Sequence, residues 1–150
     1  MDMEKPVIIS IKGMQSGDIR GDETMELVTQ GTLKHDEENG YSLSYRESEL
    51  TGLEGTTTTF RVGKDRITLL REGSLNSEMV FQEGQKHFSL YETPYGGLML
   101  GVDTRRARAD LDPTGGNLSI RYALEVENEP IGENAFEIQV KEPGASAISS

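Results

Sequence analysis

Thr56-Thr57-Thr58-Thr59-Phe60-Arg61-Val62, Ile67-Thr68-Leu69-Leu70, Met79-Val80-Phe81, Phe88-Ser89-Leu90-Tyr91 and Leu98-Met99-Leu100-Gly101-Val102 follow one another within a single stretch, separated by glycine-bearing turns. β-Branched and aromatic side chains crowd a helix at the β-carbon and pack well on a pleated surface, so each run reads as a strand. The unbroken threonines Thr56 to Thr59 make the point most strongly. The turns between runs are short, which makes consecutive strands neighbours in an antiparallel meander. Such a sheet leaves an edge after every added strand, and closure into a barrel or packing as a sandwich hides it.

The same rhythm extends in both directions. Upstream, Val7 to Met14 forms a β-branched strand, and Thr24 to Leu33 a second, with Met25, Leu27 and Thr29 facing one way and Glu26, Val28 and Gln30 the other. After the acidic turn His35 to Gly40, in which Asn39-Gly40 is a hairpin signal, Tyr41, Leu43 and Tyr45 alternate with Ser42, Ser44 and Arg46. Arg46 to Leu53 reads as strand or irregular connection. Downstream, Lys86 to Thr93 is a strand, Leu98 begins another, and Pro113 to Gly116 ends it. Leu118, Ile120, Tyr122, Leu124 and Val126 then alternate with Ser119, Arg121, Ala123 and Glu125, and Phe136, Ile138 and Val140 with Glu137, Gln139 and Lys141. This predicts about ten strands in one domain, residues 1–142, followed by a disordered small-residue tail at 143–150.

Composition narrows the function classes. Apolar residues are 34% and the mean hydropathy is −0.53, a lean count that suits a sheet with one wetted face and predicts a thin or hollow core. A net charge of −11 and a pI near 4.6 repel phosphate backbones and anionic lipid, so neither nucleic acid nor a membrane surface is an expected partner. Without cysteine there is no disulfide, thiolate metal site or thiol nucleophile. Met1 to Pro6 holds Asp2 and Glu4 rather than an apolar leader, and the cytoplasm is the expected compartment.

Familiar catalytic patterns fail on spacing. Gly55 to Lys64 has too many residues between its glycines for a phosphate loop, and Asp65 stands where that loop needs a hydroxyl. His35 and His87 have no second histidine at a metal-binding interval and read as surface residues. No Gly-x-Ser-x-Gly elbow occurs. Asp103, Asp110 and Asp112 read as solvated carboxylates, and Arg105, Arg106 and Arg108 as a polar strand face balanced by Asp103 and Asp110. Arg20-Gly21-Asp22 and the Asn117-Leu118-Ser119 triplet are short enough to arise by chance. Catalytic residues, metal ligands and cofactors are therefore none.

Phase is more informative. If Tyr41 and Leu43 point inward, so do Tyr45 and Glu47; if Ile67 and Leu69 do, Arg71 follows. Tyr91 and Tyr122 join them. An inward arginine and glutamate with tyrosine hydroxyls either orients the polar end of a small ligand or plugs a barrel that binds nothing.

Gly52-Leu-Glu-Gly55-Thr-Thr-Thr-Thr, Ile67-Thr-Leu-Leu-Arg71-Glu-Gly73, Ser77-Glu-Met-Val-Phe81, Leu90-Tyr-Glu-Thr-Pro-Tyr-Gly96 and Gly116-Asn-Leu-Ser-Ile-Arg-Tyr122 together resemble the YwiB-like family of small bacterial proteins. The resemblance spans nearly the whole chain. It implies an all-β fold, a single antiparallel up-and-down lipocalin-like (calycin-type) barrel of about 8–10 strands, with no established activity and no catalytic residues to carry over. The matching positions Arg71, Phe81, Tyr91, Thr93 and Gly96 are read as structural. The expected function is a non-enzymatic binding module for a small apolar or amphipathic ligand, with Arg71, Tyr45, Glu47, Tyr91 and Tyr122 at the site. The alternative is an interaction or scaffold protein with a filled barrel, meeting a partner or a second copy in a homodimer through an exposed edge or the arginine face.

Overall fold

The computed structural model describes residues 3–17, 21–38, 40–48, 54–73, 76–93 and 95–143. Among them ten strands form one antiparallel sheet: β1 (Met3–Gly17), β2 (Gly21–Asp36), β3 (Gly40–Arg46), β4 (Thr56–Val62), β5 (Ile67–Gly73), β6 (Ser77–Phe81), β7 (Lys86–Thr93), β8 (Gly96–Asp112), β9 (Gly115–Val126) and β10 (Glu129–Lys141). Each strand pairs with its predecessor except across one junction, and β1 pairs with β10. The sheet therefore curls into a nearly closed up-and-down barrel whose two unjoined edges, β6 and β7, are consecutive in the chain. The turn between them is stitched to β8 instead, Gly84 N–H donating to Thr104 O at 2.9 Å and Thr104 N–H to Gln85 O at 3.0 Å. Among the described residues no helix is long and apolar enough to cross a membrane.

β4, β7 and β8 match the runs expected from sequence, whereas β1, β2 and β10 extend well past theirs. A backbone ladder needs no apolar side chain, so pairing continues through Lys5 and Gln15, where hydrophobic alternation gives no sign of it. Asn39 lies outside the described residues, and the hairpin expected there is visible in the pairing of Asp36 with Gly40. Most of the Arg46 to Leu53 connection and the tail beyond Pro143 also lie outside them.

Alternation puts Val7, Ile9, Ile11, Leu33, Leu43, Phe60, Leu69, Phe81, Ile120 and Ile138 inside, all buried. The expectation of a thin or hollow core is corrected here, because large rings fill the waist. Phe81 meets Tyr122 at 4.8 Å between ring centroids, Tyr122 stacks on Phe136 at 6.3 Å, and Phe60 meets Phe136 edge-on at 6.3 Å. A small barrel has one interior face per strand, so a modest apolar count suffices when phenylalanines supply the volume. β8 changes phase at a bulge between Thr104 and Arg106: Leu100, Val102 and Thr104 are buried before it, and Ala107 and Leu111 turn toward the core after it.

Candidate functional site

The inward polar residues gather where β3, β4 and β5 reach the end of the barrel served by the connections after β1, β3, β5, β7 and β9. Register lines up Tyr45 with Thr58, Thr58 with Arg71, and Arg71 with Ser77. Just past β3, Glu47 keeps the inward phase because its N–H still donates to Thr56 O at 2.8 Å. Tyr45, Glu47, Thr56 and Thr58 are buried, Arg71 is half-buried, and Tyr122 reaches the group from β9.

Thr58 Oγ1 donates to Glu47 Oε2 at 2.5 Å, and the Tyr45 hydroxyl also hydrogen-bonds Glu47. Burial holds the Tyr45 phenol well above its ordinary pKa, the Glu47 charge adds to this, and the Arg71 guanidinium opposes it. Burial likewise pushes Tyr122 up to about 12, again against the pull of Arg71. Both phenols are thus neutral donors near neutral pH. Glu47 Oε1, Arg71 Nε, Thr56 Oγ1 and Thr104 Oγ1 are buried without a hydrogen-bond partner among the described residues. Thr104 pairs in register with Tyr122, which places its hydroxyl beside the same ring.

The structure brings together Tyr45, Glu47, Arg71 and Tyr122. Tyr91 follows the phase of the half-buried His87 and Ser89 on β7, yet makes no hydrogen bond to the cluster. The threonines are what sequence reasoning overlooked. Counting back by twos from Phe60 points Thr58 and Thr56 inward, but a threonine run is first seen as a strand former. The inward pair of Arg71 and Glu47 is also modified: Glu47 is held by Thr58 and Tyr45, and Arg71 stands by the two phenols.

Toward the same end, β1, β2 and β10 frame a groove of about 530 Å³ that includes Gly13, Met25, Asn134 and Phe136. The bare Gly13 leaves Met25 and Phe136 close over one spot, and Phe136 is the ring stacked on Tyr122. An apolar hollow and a polar cluster thus share one aromatic wall.

Other residues singled out in the sequence have different partners from those expected. Arg105 pairs with Glu133 at 3.9 Å and Arg108 with Glu83 at 3.3 Å, rather than with Asp103 and Asp110, because the bulge turns Arg105 and Arg106 outward together. The Ala107 N–H and then Arg108 hold the Glu83 carboxyl below its usual range. His35 and His87 are half-buried rather than surface residues: the His35 ring meets that of Tyr41 at a tilt, 4.4 Å between centroids, and His87 hydrogen-bonds Gln82 at 2.9 Å. Asp112 accepts from the hydroxyl and N–H of Thr114. Among the described residues no three metal-ligating side chains come together.

A nearly closed up-and-down barrel with an aromatic waist and an inward tyrosine, arginine and glutamate cluster defines a class of small β-barrel proteins. Residues 9–138 match the family described as a domain of unknown function, DUF1934, and the chain belongs to that family. The uncharacterized β-barrel protein YwiB of Bacillus subtilis is 27% identical over 129 residues, which is 86% of this chain and 88% of that protein. The crystal structure of the ywiB protein from Bacillus subtilis superimposes with a TM-score of 0.77, covering 93% of this chain and 92% of that one at 24% identity, a likeness of fold.

Proposed function

We propose that this barrel is a non-catalytic binding module for a small amphipathic molecule. Its acidic or carbonyl-bearing head meets Arg71, Tyr45, Tyr122 and Glu47, and its apolar body lies toward Met25 and Phe136. The observation that carries this is the Arg71 Nε, a charged donor removed from water with no acceptor beside it among the described residues. Leaving such a group unpaired costs about 1–3 kcal/mol or more, and a ligand oxygen removes the cost. Glu47 Oε1 offers the complementary acceptor for a ligand donor. The filled waist directs the apolar body to the groove beside Phe136 rather than to the middle of the lipocalin-like cup implied by the resemblance.

Native mass spectrometry of the protein taken from its host tests this reading. A bound metabolite is expected on the wild type, lost in Arg71→Met and kept in Arg108→Met, with a matching ligand-dependent rise in melting temperature. If Arg71 is a structural plug, the wild type carries no adduct, and Arg71→Met is as stable as the wild type or more so. A second reading, an interaction protein that acts through its surface, is favoured by the exposed Phe88 and Leu90 on β7.

A further inference from the structure

We infer that the ligand held by the polar cluster is a zwitterion of the amino-acid kind, with an ammonium at Glu47, a carboxylate at Arg71 and an apolar side chain. The inference rests on the binding function proposed above and narrows its head group. Glu47 and Arg71 carry opposite charges at one end of the barrel interior, yet among the described residues they form no ion pair with each other. Each keeps a buried atom without a hydrogen-bond partner, Oε1 on the carboxylate and Nε on the guanidinium. Glu47 as a whole is only 7% exposed.

Register keeps the two charges apart. Glu47 follows β3 and bonds the Thr56 backbone, whereas Arg71 lies on β5 opposite Thr58, so β4 runs between them. Two strand spacings separate their backbones by roughly 10 Å. Tyr45 answers to both charges, its phenol raised by Glu47 and lowered by Arg71, while of the two only Arg71 acts on Tyr122. Thr58 and Tyr45 bond the Glu47 carboxylate, and its Oε1 is still left over. The Tyr122 hydroxyl has no hydrogen-bond partner among the described residues and is a neutral donor on the Arg71 side. The site thus has two unlike halves, an acceptor at Glu47 and donors at Arg71 and Tyr122.

That division selects the ligand. A bare carboxylate suits Arg71 and Tyr122 but leaves Glu47 Oε1 unpaired and sets a like charge near it; a bare amine makes the converse error at Arg71. A neutral amide reaches both atoms but forgoes charge-assisted bonds at both of its ends, which are roughly twice as strong as neutral ones. A zwitterion gives each buried charge its opposite and brings no net charge into the interior. Its side chain lies toward Met25 and Phe136, the ring stacked on Tyr122, so apolar side chains are favoured over polar ones.

Calorimetric titration with L-leucine and L-phenylalanine tests the inference, each set against the same skeleton without its amine and without its carboxyl group. At least one amino acid is expected to bind at least about tenfold more tightly than both of its truncated forms. Glu47→Gln, which still offers Thr58 and Tyr45 an acceptor, should weaken the amino acid by a similar factor and leave the amine-free acid bound as tightly or more so. A carboxylate with a purely structural role would weaken both alike. Arg71→Met should do the converse, sparing only the carboxyl-free amine, and carries the test if Glu47→Gln does not fold. An amine-free acid that binds the wild type as well as its amino acid overturns the inference, as does a Glu47→Gln protein that weakens both alike. If no probe binds, the native adduct decides. An adduct with both an amine and a carboxyl group supports the inference; one lacking either overturns it and leaves the binding function standing; no adduct at all overturns both.

Discussion

Thr58 shows how one side chain ties fold to site. It is fully buried between Tyr45 and Arg71, and its hydroxyl bonds a Glu47 oxygen while the other oxygen has no partner among the described residues. Replacing it by the isosteric valine leaves a buried carboxylate with less support, which predicts a loss of about 1.5–3 kcal/mol for Thr58→Val in urea unfolding, most of it recovered in Thr58→Ser. Tyr122 supplies a pH signature. Its phenol titrates near 12 in the fold against 10.0 for an unperturbed tyrosine, so below pH 10 both states hold the proton and the group adds no slope. Between pH 10 and 12 the unfolded chain releases a proton that the barrel keeps, and stability falls by on the order of 2–3 kcal/mol. Tyr45, raised by its own burial, adds to the same decline. Tyr122→Phe should flatten that alkaline arm in denaturant melts taken at successive pH values and leave stability near neutral pH little changed. A mutant with the wild-type slope would mean that Tyr122 is not the buried phenol responsible. The inward direction of these side chains was legible because strand phase is arithmetic: Tyr45, Glu47 and Arg71 follow from Leu43 and Leu69 in steps of two. Which hydroxyls meet which carboxylate was not, since cross-strand register depends on turns that the sequence does not count.

At the scale of the strand, local chemistry decides how far each element runs and where it bends. Gly31 sits on β2 just before its pairing with β3 begins at Thr32. A side chain there would collide with Ile9 Cδ1 and with the Ser44 carbonyl, and crowd the Cβ of Tyr45. The carbonyl cannot swing away as a flexible side chain would, so Gly31→Ala is expected to cost about 1–3 kcal/mol through displacement of β3 and, with it, Tyr45. Thermal unfolding measures the loss, and reduced ligand-dependent stabilisation would show that it reaches the site. The hairpin from β9 to β10 turns on Glu127 and Asn128, both left-handed at φ 51 and 70, a two-residue loop of the kind that matches strand twist. Asn128 suits that backbone by type. Glu127 is held there by its carboxylate, which accepts the Met99 N–H at 2.9 Å. A Glu-Asn pair is no turn signal in sequence terms, and the long-range bond that makes it one joins residues far apart in the chain. The bulge at Arg105 was hidden for a similar reason: Arg105 and Arg106 face outward together only because β8 carries an extra residue against β9. Strand existence, which needs local pattern alone, was readable throughout; strand ends and phase changes were not.

For the molecule as a whole, the governing feature is the unjoined seam between β6 and β7. Ordering of the strands followed from short turns, but closure through β1 and β10 and the position of the seam follow from curvature, which no run of residues encodes. Each of β9 and β10 is flanked by a strand on both sides, while β7 has a neighbour on one. Backbone amides at a free edge open without disrupting a second ladder, so their exchange with solvent samples local opening rather than global unfolding. Hydrogen exchange should therefore be fastest among the strands over Lys86 to Tyr91 and slowest over Leu118 to Val126. Ligand at the Arg71 cluster should slow exchange across β3 to β5. Protection that rises over β3 to β5 while exchange over Lys86 to Tyr91 stays fast would show that ligand is held at the polar end of the barrel and that the seam stays unjoined.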